Sequence, residues 1–507
     1  MKKRMLCAVL ALLLSGTTAF FANADSLILI NENLAPMTQA QTLEMVAEVT
    51  DAYFQDRDII NELQGELAFT KTLDPFGEDE DEAITMGTMT HQGMAMRFLM
   101  DRIGEADDSG RYPLYITLHG GGEGAPEGND SEWYMMYHYY RMAVKNGIYI
   151  ACRGITDTWD LHFQPQSNPL YDRLIQAMIC LYGADPDRVY LLGFSAGGDG
   201  VYQIAPRMAD RFAAANMSSG HPNGVSLLNL ANCPFSIQVG VRDYYSEDAL
   251  RCIRGAEFEQ VLTDLHNRFN GGYEHQVLVH VPEGHNYDDS SSPDPEKGFD
   301  GGMSEVLADP TAYADSAIVE SMMGDFLEVL ESKVGYDDVG TLSYFPGDSD
   351  ADFDNAIRDV LKEDYGLETV FVNACAVDYV SGFKRNPAPD TVIWDLSTRA
   401  VKRNVTSFYW LKADASVTSG IIVARYTGDN TVEIEAENVN GDFSILVNPA
   451  LLDVSRPIRI KTGDGLYAVQ VNPSRETLLS SVRETGDPGL AWVAEIPYSL
   501  LRAGSTD

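Results

Sequence analysis

Residues 193–197, with the sequence Gly-Phe-Ser-Ala-Gly, directly follow the apolar run Val-Tyr-Leu-Leu of residues 189–192. An apolar run that ends in Gly-x-Ser-x-Gly is typical of a sharp turn from a β-strand into an α-helix, in which the serine projects from the end of the sheet. The two glycines permit the crowded, strained backbone of such a turn. The pattern makes Ser195 a candidate nucleophile, although a strand-turn-helix with a purely structural serine has the same pattern.

A serine hydroxyl becomes a strong nucleophile only when a base removes its proton and a carboxylate orients that base. Downstream of Ser195, Asp243 and His285 each come shortly after an apolar run. The order Ser, Asp, His is the order of the catalytic residues in α/β-hydrolases. We therefore expect Asp243 to be the orienting acid and His285 the base. Glu247 and Asp248 are alternatives for the acid, because Asp243 could instead form a turn.

The sequence His-Gly-Gly-Gly at residues 119–122 follows another apolar run. A glycine loop at the end of a strand can turn its backbone N–H groups toward the oxyanion that forms during acyl transfer. We predict that the N–H groups of Gly121, Gly122 and Ala196 form this oxyanion hole. The alternatives are a flexible glycine turn and a phosphate-binding loop, although the Lys-Ser/Thr pair of a phosphate loop is missing here.

Several aromatic and polar residues are predicted to lie on the same side of the sheet. Trp159 and His162 belong to the segment 156–163, which follows an apolar strand, and a loop packed only for structure explains them equally well. We expect five residues to line the substrate-binding site: His119, Trp159, His162, His221 and Tyr244.

Strand-like and helix-like segments alternate between residues 95 and 281. This alternation predicts a mostly parallel sheet with helices on both faces, which is the α/β-hydrolase fold, with the active site at the carboxyl ends of the strands. Short alternating strands with Gly, Asn and Asp turns follow residue 384 and predict a C-terminal all-β, sandwich-like domain. The predicted boundaries are a signal peptide at 1–24, an N-terminal helical and acidic segment at 25–82, a hydrolase core at 83–285, an insertion or lid-like segment that also ends the hydrolase domain at 286–383, and the β-domain at 384–507.

The first 24 residues have a basic start, an apolar stretch and the small-residue sequence Ala-Asn-Ala, so we expect a secreted or periplasmic protein. The apolar stretch is too short to span a bilayer, which makes a membrane anchor the weaker alternative. The formal net charge of −40 makes nucleic acid and anionic membranes unsuitable partners.

No cofactor and no metal are expected from the sequence. The cysteines that follow the leader lack metal-ligand spacing, and most are expected to be small buried hydrophobic residues. The aspartates between residues 348 and 354 have the spacing of a calcium loop, but Phe353 occupies the position that needs glycine. We therefore expect an acidic loop or a helix cap there.

Residues 193–204, Gly-Phe-Ser-Ala-Gly-Gly-Asp-Gly-Val-Tyr-Gln-Ile, and residues 219–223, Ser-Gly-His-Pro-Asn, resemble a family of bacterial secreted α/β-hydrolases related to polyhydroxybutyrate depolymerase-like and feruloyl esterase-like proteins. The resemblance covers most of residues 112–507. It implies that Ser195 is the nucleophile, Asp243 the acid and His285 the base, and that a β-domain follows. This chain departs from the family in the long segment between His285 and Lys384, which bears on substrate access.

The leading hypothesis is a secreted carboxylic ester hydrolase that works through an acyl-enzyme on Ser195. Its substrate would be a small-molecule or polymer ester, with polysaccharide contact through the C-terminal region as an additional expectation. A serine peptidase of the prolyl-oligopeptidase type is one alternative, although no propeller precedes the hydrolase segment. A non-catalytic protein that binds a polymer or a surface is the other.

Overall fold

The computed structural model describes residues 27–77, 83–240, 243, 251–280, 285–290, 368–370, 374–398 and 405–503. Several predictions fall outside these ranges: the leader, Tyr244, Glu247, Asp248, the calcium-like aspartates, and most of the segment 286–383. They stay predictions.

The described residues form nine α-helices and twenty strands. The helices are α1 Gln39–Phe54, α2 Arg57–Glu66, α3 Pro126–Tyr139, α4 Ser167–Tyr182, α5 Ala196–Arg207, α6 Arg251–Phe269, α7 Ala376–Ser381, α8 Arg475–Thr485 and α9 Tyr498–Ala503. The strands are β1 Leu27–Ile30, β2 Leu67–Leu73, β3 Ala83–His91, β4 Met94–Ile103, β5 Tyr112–Leu118, β6 Gly147–Cys152, β7 Ala184–Phe194, β8 Ala214–Ser218, β9 Phe235–Gly240, β10 His275–His280, β11 Glu368–Val370, β12 Thr391–Asp395, β13 Ser407–Phe408, β14 Leu411–Ala413, β15 Ile421–Gly428, β16 Thr431–Glu437, β17 Phe443–Leu446, β18 Ile458–Thr462, β19 Gly465–Val471 and β20 Glu495–Pro497.

A ten-stranded sheet contains the segment with alternating strands and helices. Its strand order is β11-β10-β9-β8-β7-β5-β6-β4-β3-β2. Pairing is parallel from β11 to β6 and antiparallel from β6 to β2. The prediction of a mostly parallel α/β sheet is therefore confirmed. The carboxyl ends of β5, β7, β9 and β10 meet at one edge, where the candidate residues follow them.

The buried central strands explain why these segments read as apolar runs. Every residue of β6 is buried, and so are the last six residues of β5. Strands that are covered on both faces have no solvent-exposed face, so their sequences are continuously apolar instead of alternating between apolar and polar residues. The helices α3, α4, α5 and α6 connect them, and α4 itself is buried over most of its length.

The C-terminal region forms two further sheets. A six-stranded sheet has the order β1-β19-β18-β16-β15-β12, and a four-stranded sheet has the order β13-β14-β17-β20. In β16, Val432 and Ile434 are buried while Glu433 and Glu435 are not, which is the period-two pattern of a sheet with one covered face. The predicted abundance of strands is confirmed, and their arrangement as a separate sandwich stays a prediction.

The N-terminal segment differs from the prediction. Strand β1 pairs in parallel with β19 of the C-terminal sheet, whereas β2 pairs with β3 of the ten-stranded sheet. Residues 27–77 thus contain two strands beside the predicted helical part, and these strands pair with two different sheets. The predicted single helix at 42–63 is two helices, since Asp56 caps α2 by accepting from the Asp58 N–H at 2.9 Å.

Aromatic side chains connect the C-terminal region to the core. The Tyr409 hydroxyl donates to the Ala209 carbonyl at 2.9 Å, and the Trp410 indole donates to the Pro389 carbonyl at 2.7 Å. Both rings are buried.

None of the helices in the described part of the chain is long and apolar enough to cross a membrane.

A buried ion network fixes residues 384–389 against the core. The Arg385 guanidinium lies 2.7 Å from Asp487 and 2.7 Å from Asp187, and it donates to the Asp210 carbonyl at 2.7 Å. Burial alone would raise the pKa of Asp487, but Arg385 and Arg211 hold that pKa below its usual value. Arg385 and Asp487 are almost completely buried, so removal of one partner leaves the other buried charge with less compensation.

We predict that Arg385→Gln lowers the free energy of unfolding by about 3–5 kcal/mol, because it leaves Asp487 buried beside fewer positive charges. Thermal and urea unfolding would measure the loss. The matched control is Arg425→Gln, which breaks an exposed pair with Glu435 at 2.9 Å and should cost less than about 1 kcal/mol. Equal losses in the two variants would contradict the assignment of Arg385 as a structural centre.

Candidate active site

Ser195 occupies a strained position between β7 and α5. Its backbone has φ 58° and ψ −123°, although it is not a glycine. Such a conformation costs about 1–3 kcal/mol and persists only where the surroundings impose it. The Ser195 N–H donates to the Ser218 carbonyl at 2.9 Å, and its carbonyl accepts from the Asp199 N–H at 3.0 Å. The backbone is thus held on both sides, and the side chain is left at the edge of the sheet.

The close approach of α5 to the sheet requires glycine at two positions. A Cβ at Gly197 would clash with the Leu118 carbonyl oxygen, and a Cβ at Gly193 would clash with the Gly197 carbonyl oxygen. No side chain could occupy either position without moving backbone. These two contacts are the physical reason for the Gly-x-Ser-x-Gly pattern in this chain.

The structure brings the three candidate catalytic residues together. His285 Nε2 lies 2.9 Å from Ser195 Oγ, and His285 Nδ1 lies 2.9 Å from each carboxylate oxygen of Asp243. Asp243 is buried, while the His285 side chain is partly exposed. The Nδ1–H therefore donates to the carboxylate, which leaves Nε2 able to accept the serine proton.

Asp243 has a second partner that the sequence did not reveal. Arg251, at the start of α6, donates from Nη1 to Asp243 Oδ1 at 3.0 Å, and both side chains are buried. A charge-assisted hydrogen bond of this kind fixes the carboxylate in place. An arginine eight positions after an aspartate matches no sequence pattern that could identify it as a partner.

The loop of His285 is anchored by a buried polar cluster. The Ser219 hydroxyl donates to the His285 carbonyl at 2.9 Å, and the Tyr287 hydroxyl donates to the Gln238 carbonyl at 2.5 Å. Asp289 lies at the centre and accepts from the Tyr139 hydroxyl at 2.7 Å.

Two more hydroxyl groups, from Ser218 and Tyr140, complete the shell of Asp289. Burial raises the pKa of Asp289 to about 6, against the lowering effect of these hydrogen bonds. The cluster connects β8, α3 and the histidine loop, so it fixes the direction from which His285 approaches Ser195. Its members lie far apart in sequence, and only the tertiary structure reveals them.

The glycine loop after β5 lies beside Ser195. Gly121 and Gly122 have φ values of 96° and 131°, and Asn129 of α3 holds the loop from both sides. Asn129 Oδ1 accepts from the Gly122 N–H at 2.9 Å, and Asn129 Nδ2 donates to the Gly122 carbonyl at 2.9 Å. The prediction for Gly122 is therefore corrected, because its N–H is already used by Asn129.

The other two predicted donors remain suitable. Ala196 is the first residue of α5, where a helix leaves its N–H groups without intrahelical partners. Gly121 precedes the residue that Asn129 holds, and a Cβ at Gly121 would clash with Asn129 Oδ1. Neither N–H has a hydrogen-bond partner among the described residues.

His119 and His162 are structural residues rather than ligand contacts. Both are buried, and their rings meet edge to face with centroids 4.7 Å apart. His119 Nε2 accepts from the Gly154 N–H at 3.0 Å, so its Nδ1–H donates to the Gly120 carbonyl at 2.6 Å. His162 Nε2 lies 2.9 Å from the His119 carbonyl. The expectation that His119 and His162 contact substrate is corrected, because both rings are buried and hydrogen-bond to backbone carbonyls of the glycine loop.

Trp159 and His221 keep positions that suit a substrate wall. Trp159 is 52% exposed. A Cβ added at Gly122 would lie 3.6 Å from the Trp159 Cα, so Trp159 lies next to the glycine loop. His221 is partly exposed, its N–H donates to Asp199 at 2.5 Å, and its ring lies 2.9 Å from Asn223. Contact of either residue with substrate stays a prediction, as does that of Tyr244.

Glu132 is a further acidic residue beside the serine. A Cβ added at Gly120 would lie 3.3 Å from Glu132 Oε2 and 3.3 Å from the Cβ of Ser195. Both side chains therefore border the same small space beside Gly120. Burial raises the pKa of Glu132, and the charge of His285 partly offsets that rise. No hydrogen bond to its carboxyl group is seen among the described residues. Glu132 lies in α3 and belongs to no sequence motif that could have identified it.

The described residues contain no group of three or more His, Cys, Asp or Glu side chains arranged to hold a metal ion. Cys152, Cys180, Cys233 and Cys375 are free thiols, and three of them are buried.

No protein-family model matches the sequence, and no curated protein matches it. Solved structures with partial likeness include a thermostable esterase, at 16% identity and a TM-score of 0.29 over 43% of this chain. The match spans 56% of that esterase. The BES protein from Bacillus cereus is 12% identical with a TM-score of 0.30, covering 43% of this chain and 88% of that protein. A ferulic acid esterase is 16% identical with a TM-score of 0.28, covering 40% and 90% respectively. These values describe a partial likeness and no more.

We predict that His119 and His162 stay neutral between about pH 5 and 8, because burial lowers both pKa values, that of His162 to about 3. Nitrogen-15 NMR of the imidazoles should show His119 as the fixed Nδ1–H tautomer throughout this range. The urea-unfolded protein is the control, in which both rings should titrate near the ordinary value of about 6.5. Protonation of the folded His119 ring near neutral pH would contradict its structural role.

Proposed function

We propose that this protein is a serine hydrolase of the α/β-hydrolase fold that cleaves carboxylic esters through an acyl-enzyme on Ser195. The observation that carries the proposal is the continuous hydrogen-bonded line from Ser195 Oγ through His285 to Asp243, with 2.9 Å at each step. A strained serine at a strand-to-helix turn supports it independently. The order of the parallel strands, with β4 antiparallel beside β6, supports the fold assignment.

In the proposed reaction, Ser195 Oγ attacks the ester carbonyl carbon while its proton passes to His285 Nε2. Asp243 stabilises the imidazolium that forms. The tetrahedral intermediate collapses when the ester C–O bond breaks, and the leaving alkoxide takes the proton from His285. A water molecule then attacks the acyl-serine by the same route, which releases the carboxylic acid and restores Ser195.

The oxyanion of each tetrahedral intermediate would be held by the N–H groups of Ala196 and Gly121. The contribution of one such donor is typically about 3–4 kcal/mol of transition-state stabilisation. Asn129 positions the loop without touching the substrate, because its amide is committed to both polar atoms of Gly122. Export of the protein through its leader remains part of the proposal.

We predict that Ser195→Ala lowers kcat for 4-nitrophenyl acetate and butyrate on the order of 10⁴-fold or more, because no other group supplies the nucleophile. Steady-state kinetics of purified protein would measure it. The control is Ser416→Ala, on an exposed turn remote from the site, which should keep full activity. Equal rates for wild type and Ser195→Ala would refute the proposal, and faster turnover of aminoacyl amides would replace the esterase with a peptidase.

We predict that Glu132→Gln raises kcat/KM for an ester with a free carboxylate, such as mono-4-nitrophenyl succinate, relative to 4-nitrophenyl butyrate by about fivefold to tenfold. The charge of Glu132 repels a second carboxylate near Ser195. As pH falls through the raised pKa of Glu132, the Glu132 carboxyl group becomes protonated and loses its charge. The wild-type preference for the neutral ester should therefore weaken. The ratio of the two substrates cancels every effect of pH that acts equally on both reactions.

A pH-independent ratio in the wild type, or no change of the ratio in Glu132→Gln, would show that Glu132 does not face the substrate. High salt provides a further control, because screening should reduce the wild-type preference without changing the variant.

A further inference from the structure

A cavity of about 400 Å³ lies between the loop after β6, the end of α5 and the turn after β12. Its volume falls within the range of small-molecule sites. Residues of four separate parts of the chain line it, including Phe163, Asn168, Gln203, Arg207, Val225 and Thr398. Ser195, Asp243 and His285 are not among its lining residues.

Arg207 supplies a positive charge without an acidic partner among the described residues. Its guanidinium donates to the Phe163 carbonyl at 3.3 Å and to Gln203 Oε1 at 2.6 Å, which are both neutral acceptors. Burial lowers the pKa of Arg207, and no carboxylate opposes that effect. A buried arginine keeps its charge, so the remaining N–H groups of Arg207 can donate hydrogen bonds to an anion.

The other polar groups around the cavity are neutral or already engaged. Asp160 also lines the wall, and its carboxylate accepts from the Thr158 hydroxyl at 2.7 Å rather than pairing with Arg207. Asn168 is buried, and its Oδ1 has no hydrogen-bond partner among the described residues. The Thr398 hydroxyl accepts from Asn229 at 2.8 Å, which fixes the wall contributed by the C-terminal region.

An aromatic contact connects this cavity with the neighbourhood of the serine. The ring of Phe163 lies on the cavity wall and meets the ring of Trp159 edge to face, with centroids 5.3 Å apart. Trp159 in turn lies against Gly122 of the glycine loop. Trp159 therefore connects the cavity residue Phe163 with the glycine loop.

We propose that this cavity binds a sugar acid, a hydroxylated ring with one carboxylate, through its carboxylate on Arg207. The guanidinium fork matches a carboxylate in a bidentate pair. Asn168 Oδ1, which has no hydrogen-bond partner among the described residues, offers an acceptor to a ring hydroxyl, and Phe163 offers an apolar surface to the ring. This goes beyond the proposed esterase activity, since binding here needs no reaction at Ser195.

Isothermal titration of the full-length Ser195→Ala protein with D-glucuronate and D-galacturonate tests this. Saturable binding of at least one uronate is expected. D-Glucose, which lacks the carboxylate, and inorganic phosphate, which lacks the hydroxylated ring, should each bind at least about tenfold more weakly. Arg207→Gln should lose about tenfold or more in affinity. Val225→Trp, which fills the cavity from another wall, should abolish binding even if Arg207→Gln does not fold.

The matched control is Arg475→Gln, which removes an exposed arginine elsewhere and should bind as the parent does. Absence of uronate binding would overturn the proposal, and so would binding that is unchanged in both cavity variants. Phosphate or ferulate bound as tightly as the uronate would also overturn it, because the site would then recognise an anion or an aromatic acid instead. Since every arm uses the Ser195→Ala background, failure here is independent of the proposed esterase activity.

Discussion

The close packing of α5 on the ten-stranded sheet is the constraint on which the rest of the site depends. The Leu118 carbonyl occupies the space that a side chain at residue 197 would need. The absence of a side chain at residue 197 lets the start of the helix lie against the end of β5, and Ser195, two residues earlier, has a positive φ. The serine hydroxyl, the Ala196 N–H and the glycine loop are thereby brought to one place by backbone alone. The strain of about 1–3 kcal/mol at one residue is offset by the buried sheet and helices around it.

The histidine depends on a second, polar constraint. Asp289 and its hydroxyl partners form a buried cluster behind the loop of residues 285–290, and Arg251 holds Asp243 from the other side. Buried networks of this kind are costly when incomplete, because each member relies on the others for its hydrogen bonds. The geometry at Ser195 therefore depends on two kinds of interaction: packing places Ser195, and hydrogen bonding places His285.

The sequence predicted the parts of the site that are governed by local structure. Apolar runs followed by Ser195, Asp243 and His285 reflect buried strands with a functional loop at each carboxyl end, and the pattern is readable because strand burial is local. The structural roles of His119 and Asn129 were not readable, because they depend on which atoms face inward after folding. The same holds for β1, whose hydrogen bonds are made with a strand about 440 positions away.

Mass spectrometry after treatment with a fluorophosphonate tests the central claim most directly, because such a reagent phosphonylates only an activated serine. We expect one adduct per chain, located on the peptide that contains Ser195. In His285→Asn, we expect labelling that is slower by orders of magnitude, since the base is lost. Absence of an adduct on the folded wild type, or equally fast labelling without His285, would contradict the account of Ser195 as a nucleophile activated by this site.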